Sequence, residues 1–220
     1  MLGENDPDSS PGPRLWLAGC AEGNVAGVHA ALPDASAAEL LALMAGEPPF
    51  CRPDAVPQHL DRYVALTGGR PHLGLIFELP NRDGRPKGGA PLIASGTAEG
   101  EALLARLARE GLPEGLVALG FASLEDFWAP WCAVIAGQTV VALAFAARLS
   151  DRGADVGVAT APEFRGRGYA GAAVAGWTRL PELAERALIY SCERTNAASQ
   201  AVARKLGLRL IGSSLRIVRD

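Results

Sequence analysis

The apolar and polar positions change rhythm along the chain, and the changes mark its elements. From residue 15 to about 45 alanine and leucine dominate, broken at Pro33-Asp34, and Ser36 with Glu39 spells a capping box ahead of Leu40, Leu41 and Leu43. That stretch predicts packing helices. Prolines 48, 49 and 53 interrupt, and residues 57–66 predict a short helix stopped by Gly68-Gly69. Residues 72–79 read as a strand, 81–89 as a polar, solvated turn rich in glycine, and 91–94 as a second apolar run, together a hairpin with a long loop. Thr97 with residues 100–111, between turn signals, predicts an amphipathic helix with Leu103, Leu104 and Leu107 at helical spacing. Residues 116–119 are strand-like, and Ser123 opens a single turn whose aromatics belong to the core. Residues 131–136 and 139–149 predict an antiparallel hairpin across Gly137-Gln138. The rest alternates strand and helix: strand 154–160, helix 170–180, strand 187–192, helix 195–206 ending at Lys205 and Gly207, and strand 208–218.

This order predicts an α/β chain of the α+β type. It has a mixed, mostly antiparallel sheet flanked by helices, one parallel crossover at strand 154–160, and an α-rich N-terminal region. Residues 1–14 carry almost nothing apolar and predict a loose tail. The remainder divides into a region 15–112 and a domain 113–220.

Composition narrows the function classes. With 220 residues and a 49% hydrophobic fraction, the chain can bury a substantial core. A formal net charge of −3, with lysine and arginine scattered, gives no electrostatic footprint for nucleic acid or an anionic membrane. Cys20, Cys51, Cys132 and Cys192 stand far apart and read as free thiols, and His29, His59 and His72 form no metal-ligand spacing. No run of 18 apolar residues and no leader-like opening occurs, so a cytoplasmic location is expected, without metal, nucleic acid or membrane partners.

The candidate chemistry sits between Ala154 and Gly171. Gly166, Gly168 and Gly171 open an alanine-rich helix directly after a strand and a Pro-Glu-Phe turn. Backbone N–H groups at such a helix start have no intrahelical acceptor, and the helix dipole adds positive potential. The result is a pyrophosphate cradle. Two spellings fit it: the dinucleotide pattern G-x-G-x-x-G, and R/Q-x-x-G-x-G/A carried by Arg165, Gly168 and Ala170. A dinucleotide fold needs several further βα units after the motif, and only 49 residues follow Gly171. The context therefore favours the second spelling.

With its Asn196-led helix ending in Arg204-Lys205-Leu206-Gly207, the C-terminal part resembles the GNAT superfamily of N-acyltransferases. The resemblance implies acetyl-CoA as co-substrate, transferred directly to an amine of a small molecule or peptide, and it allows a homodimer. It implies that the backbone of Val158, Ala159 and Thr160 pairs with the pantetheine arm. Gly166, Arg167, Gly168, Tyr169 and Ala170, with Arg165, would hold the pyrophosphate, and Asn196 and Ser199 would contact the pantetheine or adenosine side. Asp155 and Glu193 are the candidate general bases, since direct transfer needs a neutral amine. The family's tyrosine near the leaving thiolate is replaced by Ala203, and no serine or cysteine has a partner base that would support a covalent acyl-enzyme. The rival expectation is a CoA-binding module without catalysis. The region 15–112 lies outside the motif and is expected to be a degenerate copy of the same fold or a substrate-side domain.

Overall fold

The structure, a computed structural model, describes residues 12–80 and 90–219. Most of the expected tail and the polar loop 81–89 lie outside the described residues. In chain order the elements are β1 (Leu15–Cys20), β2 (Gly23–Val28), α1 (Asp34–Ala45), α2 (Leu60–Thr67), β3 (Arg70–Glu78), β4 (Leu92–Ala94), α3 (Ala98–Glu110) and α4 (Glu114–Val117). There follow β5 (Trp131–Ala136), β6 (Thr139–Leu149), β7 (Gly153–Thr160), α5 (Tyr169–Trp177), β8 (Ala187–Glu193), α6 (Ala197–Lys205) and β9 (Arg209–Val218). They form two compact units, one from residues 12–78 and 191–219, the other from 79–80 and 90–190. The chain passes between them within β8.

In the first unit an antiparallel sheet runs β2-β1-β9-β3. Leu15 and Leu17 of β1 and Leu215 and Ile217 of β9 alternate inward, as a half-buried strand requires, and meet Leu40 and Met44 of α1 and Tyr63 of α2. Burying each such leucine contributes about 1.5–3 kcal/mol. Glu47, itself buried, accepts from Tyr63 Oη at 2.6 Å and from the Gln58 N–H, and burial with the neighbouring carboxylate pushes the phenol upward from its ordinary range.

In the second unit the order is β8-β7-β6-β5-β4, antiparallel except for β7 against β8. The α5 segment is the crossover between those two parallel strands. Leu103 and Leu107 of α3 pack with Leu116, Trp131 and Leu143, while Phe127 meets Phe121 and Trp131 edge to face. Trp177 is buried and its Nε1 donates to Pro130 O at 2.7 Å. The strands and helices from residue 131 onward follow the expected order, and the sheet is mixed and mostly antiparallel with helices against it.

Four local expectations are corrected. Residues 15–28, expected as helix, form the hairpin β1–β2: alternating burial of Leu15 and Leu17 outweighs the alanine content, and Gly23 at φ +142° opens the return strand. The Ser36–Glu39 capping box does not form, because α1 starts at Asp34 after Pro33 and Glu39 instead accepts from Arg62 Nε at 2.6 Å. Residues 116–119 are not a strand; residues 114–117 make the single turn α4, too short to declare a period. The two apolar runs at 72–79 and 91–94 are not a hairpin either, since β3 pairs with β9 and β4 with β5. Among the described residues no helix is long and apolar enough to cross a membrane.

Candidate active site

The second unit builds one ligand-shaped feature, where β7 runs into α5. On its β6 side β7 is paired through to Thr160, opposite Ala142. On its other side the parallel ladder to β8 ends at Asp155 opposite Ile189. From Val156 to Thr160 that edge has lost its strand partner. Backbone polar groups left this way can accept an extended chain, adding it as a further strand. Thr160 Oγ1 is buried and has no hydrogen-bond partner among the described residues, so one more polar group at this edge is unsatisfied.

The glycine turn follows at once. Pro162–Phe164 forms a single 3₁₀ turn, and Arg165 is extended. Gly166 (φ +79°) and Gly168 (φ +86°) then take left-handed conformations with nothing within 4 Å of where a Cβ would stand. Only glycine adopts those angles without strain, and the open space lets a phosphate approach the backbone closely. Ala172 N is the first of α5 to bond within the helix, donating to Gly168 O at 3.1 Å. The N–H groups of Tyr169, Ala170 and Gly171 therefore face out of the helix start. Two guanidinium groups flank the turn. Arg165 Nε donates to Thr160 O at 3.3 Å, and Arg167 Nη2 donates to Glu163 O at 3.3 Å with its guanidinium 5.3 Å from the Phe164 ring centre. Tyr169 packs beside Phe164 at 6.3 Å. The unpaired edge, the open glycines, the orphaned threonine hydroxyl and the two arginines fit a long chain ending in a pyrophosphate.

Asp155 lies at the opposite end of β7 from the glycine turn, five residues before Thr160, or about 16 Å along an extended strand. Its carboxylate is buried and Arg148 Nη1 of β6 donates to Oδ2 at 2.9 Å. Cys132, buried on β5, has its thiol pushed up to about 12 by desolvation.

The first unit holds the remaining expected residues. Asn196 caps α6, its Oδ1 accepting from Ser199 N at 3.0 Å. Ala203, at the position of the missing tyrosine, is fully buried. Glu193, at the end of β8, accepts through Oε1 from His72 Nδ1 of β3 at 3.0 Å and from Arg216 Nη2 of β9 at 2.6 Å. Arg216 chiefly holds the carboxyl below its usual range; burial opposes it, and His72 adds a smaller lowering effect. Sequence reasoning missed Arg148, His72 and Arg216. His72 and Glu193 stand 121 positions apart, and no local pattern signals a pairing made across strands. Among the described residues no group of three or more His, Cys, Asp and Glu could hold a metal ion.

The acetyltransferase (GNAT) domain family model matches residues 103–209. Among solved structures the chain is similar to a functionally unknown conserved protein from Staphylococcus epidermidis, with a TM-score of 0.50 and 10% identity over 78% of this chain and 69% of that one. It is also similar to a GNAT-family acetyltransferase from Colwellia psychrerythraea (TM-score 0.46, 18% identity, 89% and 76% covered). A putative GNAT-family acetyltransferase from Novosphingobium aromaticivorans gives 0.45 and 21%, with 69% and 66% covered. No curated protein matches the sequence. The residues matched by that family model, 103–209, hold the unpaired β7 edge and the glycine turn.

Proposed function

We propose that this chain is an N-acetyltransferase that moves an acetyl group from acetyl-CoA to an amine of a small molecule or peptide by direct transfer. The observation that carries the reading is the β7 edge, unpaired beyond Asp155 and running straight into the open glycine turn. In this reading the backbone of Val158, Ala159 and Thr160 receives the pantetheine arm as a short added strand. The N–H groups from Gly166 to Ala170 take the pyrophosphate oxygens, and Arg165 and Arg167 supply charge-assisted hydrogen bonds beside them. Asn196 and Ser199 belong to the same assignment by family resemblance. Acetyl-CoA supplies the activated thioester; the protein aligns it and keeps the acceptor nitrogen neutral.

Of the two candidate carboxylates, Glu193 suits proton handling better. Its side chain is 40% exposed, against 6% for Asp155, which lies tied to Arg148 inside the sheet. We assign Asp155 a structural part in that ion pair and Glu193 a part in accepting the amine proton.

A second reading, a CoA-binding module without catalysis, draws on the two facts that both carboxylates already have cationic partners and that Ala203 replaces the family tyrosine. Thiol release from acetyl-CoA across a panel of amines separates the two. The acetyltransferase reading expects amine-dependent release with at least one class of amine. Binding of acetyl-CoA with no release from any amine would support the module.

A further inference from the structure

Within the second unit, Phe145 of β6 stands directly opposite Gly157 of β7. Its ring lies across β7: a Cβ at Gly157 would stand 2.5 Å from both Cε2 and Cζ of that ring. Gly157 is a strand residue without a left-handed φ, so its backbone does not call for glycine. The missing side chain is instead the room that the phenyl ring occupies. Two edge-to-face contacts fix the ring there, with centroids 5.9 Å from Phe121 and 5.7 Å from Trp128. Phe145 and Trp128 are both half-buried, so part of this aromatic pair still meets solvent.

The ring stands over the segment of β7 that has lost its strand partner. Gly157 falls between Asp155, where the ladder to β8 ends opposite Ile189, and Thr160, which leads into the glycine turn. A chain laid along that edge from the glycine turn runs out of room where β7 and β8 come together, and has to leave the plane of the sheet. The two faces differ in what they offer. Val158 lies opposite Ala144, and Ala144 opposite Cys132; α5 rests on that face, with its Gly176 against the Cys132 thiol. Val156 shares the face and is buried, as are Ala172, Ala173 and Val174 of α5. The other face of β7 carries Asp155, Gly157 and Ala159. With no side chain at Gly157, the way out of the sheet passes over that residue, and the first group met there is the Phe145 ring.

The run beyond it is short. Asp155, the next residue of that face toward the start of β7, is buried, and Arg148 Nη1 donates to its Oδ2 at 2.9 Å. A hydrocarbon extended past Gly157 would lie against this ion pair and strip water from the Arg148 side chain, which is 52% exposed. We propose that Phe145, held by Phe121 and Trp128, receives the acyl group and limits the donor to short acyl-CoA thioesters, acetyl or propionyl, against straight chains of medium length. The inference rests on the acyl-CoA reading of the β7 edge and deepens it by naming the class of donor. Two effects discriminate. A short acyl methyl gains dispersion contact with the ring, and a longer chain overlaps a ring that cannot turn without losing both of its edge-to-face neighbours.

The test uses the full chain and needs no acceptor. CoA, acetyl-CoA and hexanoyl-CoA are titrated calorimetrically into the wild type, Phe145→Ala and Phe145→Leu, with a urea midpoint for each protein. In the wild type hexanoyl-CoA is expected to bind about 10–200-fold more weakly than acetyl-CoA. Phe145→Ala is expected to remove that difference while its affinity for CoA stays at the wild-type value. Phe145→Leu, which keeps most of the core filled, is expected to narrow the difference, and carries the test if Phe145→Ala does not fold. In a separate measurement on the wild type, the ¹³C-labelled methyl of bound acetyl-CoA is expected to show NMR cross-relaxation with the Phe145 ring protons. Equal wild-type affinity for acetyl-CoA and hexanoyl-CoA, an unchanged ratio in a folded variant, or no methyl-to-ring contact overturns the proposal while the acyl-CoA reading stands. If the wild type binds neither CoA nor acetyl-CoA, it is that reading which fails, and the proposal with it.

Discussion

At the scale of single residues, the strongest electrostatic prediction concerns Glu193. Its folded carboxyl titrates below the ordinary value because Arg216 and His72 favour the ionised form. A carboxyl with a depressed folded pKa contributes stability that is fully present above its unfolded pKa, near 4.5, and is lost as pH falls through the folded value. Because this side chain is 40% exposed, solvent screens much of that contribution. Arg216→Met removes the first cause, so the Glu193 carboxyl ¹³C titration is expected to move back up toward the ordinary range, with little change in stability at pH 7. An unmoved midpoint would mean that Arg216 is not what holds it. A second residue-scale prediction is Trp177→Phe. It keeps most of the buried ring but removes the donor to Pro130 O, leaving a buried carbonyl unsatisfied at a cost of about 1–3 kcal/mol. The midpoint of urea unfolding should fall accordingly.

Among the elements, α3 is the clearest case of local and tertiary signals agreeing. Thr97 Oγ1 accepts from Gly100 N at 3.0 Å, and Leu103 and Leu107 carry the buried stripe. Thr97→Ala is expected to cost about 1 kcal/mol. Leu103→Ala is expected to cost about 2–5 kcal/mol, because the hole lies among Leu116, Trp131 and Leu143. Comparing the two urea midpoints checks the order, and an equal loss would contradict it. Helices with this kind of stripe were legible in the sequence, as was the β5–β6 hairpin, whose Gly137 at φ +62° makes the turn that Gly-Gln announced. The hairpin β1–β2 was not, because Ala18, Gly19, Ala26 and Gly27 dilute the alternation that Leu15 and Leu17 carry. The turn at α4 was misread as a strand for want of length. The glycine turn was legible because its signal is local, glycines placed at a strand-to-helix junction. The cluster around Glu193 was not, because β3, β8 and β9 bring it together across the whole chain.

At the scale of the whole molecule, the first unit is woven from both ends of the chain. Its strand β9 lies between β1 and β3, and Leu215 and Ile217 are fully buried against residues that precede position 70. A fragment of residues 113–220 alone would carry β9 with neither neighbour and with its apolar face bare. It is expected to remain unfolded or to aggregate, by circular dichroism and size-exclusion chromatography; a soluble, cooperatively unfolding fragment would show that β9 finds other support. The central claim, that the junction of β7 and α5 is an acyl-CoA site, is met most directly by calorimetric titration of acetyl-CoA, with NADH in parallel, into the wild type and Gly168→Glu. That substitution sets a carboxylate where the pyrophosphate is assigned, at a position with no protein atom within 4 Å of a Cβ. The account predicts that acetyl-CoA binds the wild type, that NADH does not, and that Gly168→Glu abolishes binding while the protein stays folded. Equal acetyl-CoA affinity in the two proteins, or preference for NADH, would contradict it.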